Sequence, residues 1–152
     1  MNFMTAEVFV DTNVLAYAYD RSEPTKQCQA LAVLDVLATR ERGIISTQVL
    51  GELFVTLTRK LTVPMGAAAA TERIQHYLQS WPVLEVTGLI VLEAARGVQS
   101  HQLSFWDAQI WATARLNQIP VIFSEDFGTN RTLEGIQFIN PFAASFRLED
   151  WC

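Results

Sequence analysis

Four acidic residues stand in sequence contexts that surface acids do not favour. Asp11 and Asp126 each follow a short apolar run, EVFV and VIFSE respectively. Glu52 and Asp107 lie within the apolar segments VLGELF and SFWDAQIW. Four carboxylates that meet in one crevice repel each other and resist ionisation, so a cation is needed to hold them there. Oxygen ligands suit Mg²⁺ or Mn²⁺, and the set predicts metal-assisted hydrolysis of a phosphodiester bond.

Each acid taken alone also has a plain structural explanation. Asp11 could cap a helix that begins after it. Glu52 could be a half-buried helix acid paired with Arg59. Asp107 could stand in the first turn of a helix, where the helix dipole favours negative charge, and Asp126 could be a loop residue. The metal hypothesis therefore rests on the four acids together.

The elements that must position these acids alternate between strands and helices. Short buried or alternating apolar runs predict strands at residues 7–10, 44–46, 83–86, 121–124 and 136–139. Helical spacing, with Ser46 or Thr47 and Ser104 as caps, predicts helices at about 25–42, 47–61, 65–81, 89–102 and 105–117. Such alternation implies βαβ units and a mainly parallel sheet. Asp11 and Asp126 would then lie at the carboxyl edge of the sheet, where ligands bind.

Composition bounds the class of protein. The chain has 152 residues, of which 50% are hydrophobic and 18% charged, so we expect a single α/β domain over residues 1–152. No apolar run is long enough for a bilayer, the first residues do not resemble a secretory signal, and two cysteines form no framework. We therefore expect a cytoplasmic protein without a membrane contact. The net charge of −5 argues weakly against nucleic-acid binding, because acids gathered at a metal site would account for most of it.

Other catalytic chemistries have less support in the sequence. The two histidines, His76 and His101, lie in polar helical contexts and are predicted to be surface residues, and the chain has no glycine-rich phosphate loop. A phosphatase of the haloacid dehalogenase type would use Asp11 as a nucleophile. That class needs a second acid where Asn13 stands, and a lysine near the later acids that the sequence does not show.

The segments VDTNVLAYAYD, ISTQVLGELFVTLTRK, LSFWDAQIWATAR and VIFSEDFGTN, in this order, resemble the PIN-domain ribonucleases. Within that family the chain is most similar to VapC toxins of type II toxin–antitoxin pairs, and the resemblance covers residues 7–142. It implies a three-layer sandwich with a central, mainly parallel sheet flanked by helices. It also implies a Mg²⁺- or Mn²⁺-dependent endoribonuclease, with Asp11 and Asp107 as direct metal ligands. Glu52 and Asp126 would bind the metal or position its water.

The resemblance assigns further roles. Thr12, Asn13 and Ser124 would position substrate or water. The RNA would contact scattered basic residues, namely Arg21, Lys26, Arg59, Lys60 and Arg131. An antitoxin protein is the expected partner, docked on the apolar segments 24–42 and 49–61, and a homodimer is expected, to which exposed aromatics would contribute, namely Trp81, Trp106 and Trp151. The alternative is an inactive or regulatory interaction module of the same fold.

Overall fold

A six-stranded sheet forms the centre of the computed structural model, which describes residues 6–128 and 130–152. Residues 1–5 and Thr129 lie outside the described residues. The first five belong to the predicted domain 1–152, and Thr129 belongs to the quoted motif VIFSEDFGTN. The strands are β1 (Val8–Val10), β2 (Gly43–Ser46), β3 (Val83–Leu84), β4 (Val121–Phe123), β5 (Arg131–Leu133) and β6 (Ile136–Ile139). Their order is β3-β2-β1-β4-β6-β5, and every pair is parallel except β5 with β6.

Helices flank this sheet, which confirms the predicted α/β class with a mainly parallel central sheet. They are α1 (Thr12–Tyr17), α2 (Pro24–Thr39), α3 (Thr47–Val55), α4 (Ala67–Ser80), α5 (Gly88–His101) and α6 (Phe105–Leu116). A π-helical turn over Thr56–Lys60 continues α3, and a 3₁₀ turn lies at Leu148–Trp151. In the described part of the chain, no helix is long and apolar enough to cross a membrane.

The two central strands, β1 and β4, place a binding crevice between them. Their residues are fully buried, as expected for parallel strands covered on both faces. β1 pairs with β2 on one side and with β4 on the other, so the strand order reverses between β1 and β4. Open α/β sheets bind ligands at such a reversal, beyond the carboxyl ends of the strands. Asp11 follows β1 directly, and its backbone N–H donates to the carbonyl of Phe123 at the end of β4.

The helix predicted over residues 47–61 changes its winding before it ends. Regular α-helix stops at Val55, and the N–H of Leu61 then donates to the carbonyl of Thr56, five residues earlier. Thr58 donates its hydroxyl to the Phe54 carbonyl, a contact that competes with regular helix. Such π-helical turns are frequent at functional sites, and this one carries Lys60 to the wall of the cavity described below.

The edge strand β5 was missed, since the segment around it was predicted to be a loop. β5 and β6 form a hairpin whose two connecting residues, Glu134 and Gly135, both have positive φ (48° and 85°). Two-residue hairpins of this kind favour Asn-Gly or Asp-Gly, so a Glu-Gly pair gives little signal. The strand predicted at 83–86 is also shorter than expected, since only Val83–Leu84 pair with β2.

Two of the three tryptophans predicted to be exposed are not. Trp151 is 3% exposed and packs edge-to-face on Phe123, while Trp81 is half-buried against Gly43, where a Cβ atom would overlap its ring. Trp106 alone of these three is exposed, at 62%. His76 is exposed as predicted, whereas His101 is half-buried, with its Nε2 2.6 Å from a carboxylate oxygen of Glu134.

Candidate active site

All four predicted acids line one cavity of about 600 Å³. Asp11 and Asp126 reach it from the segments that follow β1 and β4. Glu52 reaches it from α3, which begins directly after β2, and Asp107 from the first turn of α6. The fold therefore brings together four acids that lie up to 115 residues apart in the sequence. We refer to this space as the acid cavity.

Asp11 is buried and firmly held. Its Oδ1 accepts a hydrogen bond from the backbone N–H of Thr12 (2.7 Å), and its Oδ2 accepts one from the Ser124 hydroxyl (2.7 Å). The first contact caps α1, so the capping explanation and the cavity position both hold. Burial raises the pKa of Asp11 to about 7, and the negative charges of Asp126 and Glu52 add to that rise. The two hydrogen bonds oppose it only in part.

Glu52 is fixed by polar neutral groups. Its Oε2 accepts from the Thr12 hydroxyl at 2.8 Å, and its Oε1 accepts from the Gln48 amide at 2.9 Å. Arg59 is exposed, and no ion pair joins it to Glu52 among the residues described. The explanation of Glu52 as half of a structural ion pair is therefore wrong.

Asp107 and Asp126 complete the acidic wall. Ser104 caps α6 by accepting from the Asp107 N–H at 3.2 Å, which places Asp107 in the first helical turn. Burial raises the pKa of Asp107, and the charges of Asp126 and Glu52 raise it further, while a hydrogen bond with Ser104 lowers it. Asp126 is exposed, and its Oδ2 accepts from the amide of Asn13 at 3.1 Å.

The predicted positioning residues have different places. Thr12 and Asn13 line the acid cavity, where they also contact Glu52 and Asp126. Ser124 is fully buried behind Asp11, to which it donates, and it accepts from the Asp126 N–H at 3.1 Å. Ser124 therefore contacts these two acids and does not itself line the acid cavity.

Two charged residues of the acid cavity, Asp20 and Lys60, were not predicted to lie beside the four acids, although Lys60 was named as an expected RNA contact. Asp20 follows the short helix α1 and accepts hydrogen bonds from Ser22, and Lys60 comes from the π-helical turn. Lys60 stands in a polar segment, whereas Asp20 follows the apolar run VLAYAY and carries the same kind of signal as Asp11. Lys60 also removes one argument against a phosphatase, since a lysine does lie near Asp11 in space, although Asn13 still occupies the place of the second acid.

The acid cavity fits a hydrated divalent cation by the chemistry of its donors. It is lined by five carboxylates and one ammonium group. Within residues 6–128 and 130–152, no three acidic, histidine or cysteine side chains are grouped so that they could hold a metal ion as they stand. Mg²⁺ does not require such a cage, because it keeps several waters and binds through one or two carboxylates.

Only some of the basic residues named from the sequence approach the cavity. Lys60 lines it, and Arg21 lines an adjoining cavity of about 650 Å³ together with Arg73. Lys26 instead forms an ion pair with Glu125. Arg59 and Arg131, the other two, are exposed.

Comparison with known proteins identifies the family of this chain. The PIN-domain family profile matches residues 8–132, and the chain belongs to this family of nucleases. No curated protein sequence matches the chain.

Several solved structures with the same fold are described as toxins or as toxin–antitoxin complexes. The VapC20 toxin of Mycobacterium tuberculosis, described as cleaving the sarcin–ricin loop, is 24% identical over 79% of this chain and 90% of its own, with a TM-score of 0.60. A toxin–antitoxin complex from Klebsiella pneumoniae is 20% identical over 90% and 98%, with a TM-score of 0.65. DNA-bound VapBC from Salmonella typhimurium is 13% identical over 90% and 99%, with a TM-score of 0.64. At these identities the likeness shows the fold.

Proposed function

We propose that the protein is a Mg²⁺- or Mn²⁺-dependent endoribonuclease and the toxin of a toxin–antitoxin pair. The observation that carries the proposal is the convergence of Asp11, Glu52, Asp107 and Asp126 on one cavity at the carboxyl edge of the sheet. Membership of the PIN-domain family supports the nuclease activity. The relation to toxins rests on the structural neighbours, one of which is described as a toxin that cleaves the sarcin–ricin loop.

In the proposed site the chain supplies negative charge, orientation and hydrogen bonds. Asp11 and Asp107 would hold the cation, and Glu52 and Asp126 would bind it or orient its waters. A divalent ion bound there supplies an activated water and offsets charge on the phosphate in the transition state. Thr12 holds Glu52 and Asn13 holds Asp126 at the distances given above, so both acids face the cavity with fixed carboxylates. Lys60 also lines the cavity, and its positive charge is available to contact a substrate phosphate.

The test is cleavage of total cellular RNA by purified protein with Mg²⁺, with Mn²⁺ and with chelator. We expect discrete fragments that require the metal and disappear in Asp11→Asn. Glu134→Gln, which removes a carboxylate that does not line the cavity, is the matched control and should cleave as wild type does. Fragments that persist with chelator, or in Asp11→Asn, would refute the metal site. Intact RNA under all conditions would favour the inactive interaction module.

An antitoxin is the proposed protein partner, because neighbours of this fold were solved as toxin–antitoxin and VapBC complexes. The apolar stripes of α2 and α3, predicted as docking surfaces, face mainly inward, and the larger apolar side chains exposed on them are Leu31 and Val55. Copurification with the product of an adjacent gene, with loss of RNA cleavage in the complex, tests the partner. A homodimer is proposed on the family resemblance, and a cytoplasmic location on the composition and cysteine usage of the sequence.

A further inference from the structure

A second cavity, of about 520 Å³, adjoins the acid cavity and shares two walls with it. Glu52 and Trp106 line both spaces, and the second space is otherwise lined by Thr47, Gln48, Val86 and Gln109. Trp106 lines the acid cavity together with Asp107, so it stands beside the proposed metal site. Any polymer that lies across the acid cavity in this direction must pass the indole.

The exposure of Trp106 calls for an explanation. Its side chain is 62% exposed, although tryptophan is among the residues that gain most from burial. Phe105 contacts it edge-to-face, with ring centroids 5.2 Å apart and an interplanar angle of 82°. The indole is thus supported at the rim of two cavities while its surface remains open. Flat aromatic surfaces of this kind stack with nucleobases, whatever the base, because every base has a π-face.

The floor of the second cavity is a chain of directed hydrogen bonds. The Gln48 amide nitrogen donates to Glu52 Oε1 (2.9 Å) and to the Trp106 carbonyl (3.1 Å), so its own oxygen must face Gln109, whose nitrogen donates to it at 2.8 Å. That leaves the Gln109 oxygen, which accepts no hydrogen bond from the described part of the chain. A nucleobase edge offers N–H groups that would satisfy it.

We infer that this second cavity is a nucleobase subsite, in which Trp106 stacks on a base of the RNA next to the scissile phosphate. The inference rests on the proposed ribonuclease function and deepens it. Stacking requires an unpaired base, so the substrate segment at the cut is single-stranded or unstacked. The amide chain links the subsite to Glu52, so a base seated there contacts the same groups that hold a carboxylate of the acid cavity.

The experiment compares Trp106→Ala, Trp106→Phe and the control Leu92→Ala, which truncates another exposed apolar residue, 69% exposed, outside both cavities. The probe is a labelled single-stranded 12-nucleotide RNA of random sequence. Its binding is measured by fluorescence anisotropy in chelator, and its cleavage is measured with Mn²⁺. We expect Trp106→Ala to weaken binding and raise KM roughly 5- to 150-fold, the scale of one stacked base, with a smaller change in kcat. Trp106→Phe should retain most of the affinity.

A second arm replaces one nucleotide at a time with an abasic one in an RNA that the wild type cuts. One abasic position beside the cut should weaken wild-type binding and leave Trp106→Ala unaffected, because the two changes remove the same contact. If wild type cleaves and Trp106→Ala matches Leu92→Ala within about twofold, the subsite is refuted and the ribonuclease stands. If wild type neither binds nor cleaves, and Asp11→Asn behaves identically, the proposed function fails and the subsite with it.

Discussion

Carboxylates lie in two contrasting regions of this molecule, which shift the pKa values of those carboxylates in opposite directions. At the β5–β6 turn, the Glu134 carboxylate accepts from Arg96 at 2.9 and 3.0 Å and lies 2.6 Å from His101. The hydrogen bond with His101, followed by the hydrogen bonds with Arg96 and the charge of Arg96, holds the pKa of Glu134 below its ordinary value. In the acid cavity, Asp11 has only neutral donors, and its pKa is raised to about 7. Acids balanced by cations stabilise the fold, whereas acids held without cations are available to a ligand.

The largest expected effect separates the two regions by activity. Asp107→Asn and Glu134→Gln each remove one negative charge, one from the acid cavity and one from the turn. Asp107→Asn should lower the Mn²⁺-dependent cleavage rate by at least about 100-fold, the scale of losing one electrostatic contact to the reacting groups. Glu134→Gln should leave it within about twofold. Equal rates in the two variants, measured at matched folded fractions, would erase the distinction.

The next effect is on stability without metal. Since the folded state raises the pKa of Asp11 from 3.8 to about 7, it binds that proton more tightly than the unfolded chain does. The resulting cost is absent below about pH 4, develops as the pH rises, and is complete above about pH 7. Asp11→Asn should therefore stabilise the protein in chelator at pH 8, by at most about 4 kcal/mol.

Urea unfolding of wild type and Asp11→Asn at pH 4 and pH 8 measures this difference. Added Mg²⁺ at pH 8 should stabilise wild type and have little effect on the variant, because a ligand stabilises only the state that binds it. A pH-independent difference between the two proteins would show that Asp11 is not the titrating group. Wild-type metal affinity should also fall as the pH drops below about 7, because protons compete for the same carboxylate.

The comparison also predicts that the Ser124 hydroxyl is needed for full metal affinity. Ser124→Ala removes the hydroxyl that donates to Asp11 and accepts from Asn13 and Asp126. We expect metal affinity to fall about 10- to 100-fold, as is typical when a group that orients a ligand is lost. Thr87→Ala is the control, because it removes the hydroxyl that caps α5, outside the acid cavity. It should lower stability and leave the metal titration unchanged; a titration altered equally in both variants would point to a general loss of structure.

The smallest effect on stability is expected at the β5–β6 turn, where Glu134 lies. Glu134 has a lowered pKa, so its contribution to stability is present above its ordinary pKa of 4.5 and is lost as the pH falls through the lower folded value. Glu134 and its partner Arg96 are both partly exposed. Glu134→Gln should therefore lower the free energy of unfolding by less than about 1 kcal/mol at pH 7. The cost should shrink in 1 M salt, as judged by thermal melts, whereas the gain from Asp11→Asn should persist because burial causes it.

Much of this fold could be predicted from local patterns of apolar residues and helix caps. The fully buried β1 and β4, and the caps Ser46 and Ser104, follow from local patterns that agree with the tertiary structure. The convergence of the acids could be anticipated for Asp11 and Asp126, because parallel strands end at one edge.

Most of the features that the sequence did not predict had no local signal. The hairpin β5–β6 turns on a Glu-Gly pair that is stabilised by Arg96 and His101, and these come from a distant helix and its end. The burial of Trp151 depends on Phe123 and Phe146, so only the folded chain shows it. Lys60 stands in a polar segment that does not indicate the cavity, whereas Asp20 follows the apolar run VLAYAY and could have been named on the same ground as Asp11.

Trp106 gives the protein an optical property of its own. Trp111 and Trp151 are buried and Trp81 is half-buried, so the long-wavelength edge of the intrinsic fluorescence, which comes from water-relaxed indole, belongs mainly to Trp106. A molecule that enters either cavity must change the surroundings of that one ring. Emission at the red edge therefore reports occupancy of the site without a label, while the blue edge, from Trp111 and Trp151, reports whether the core is intact.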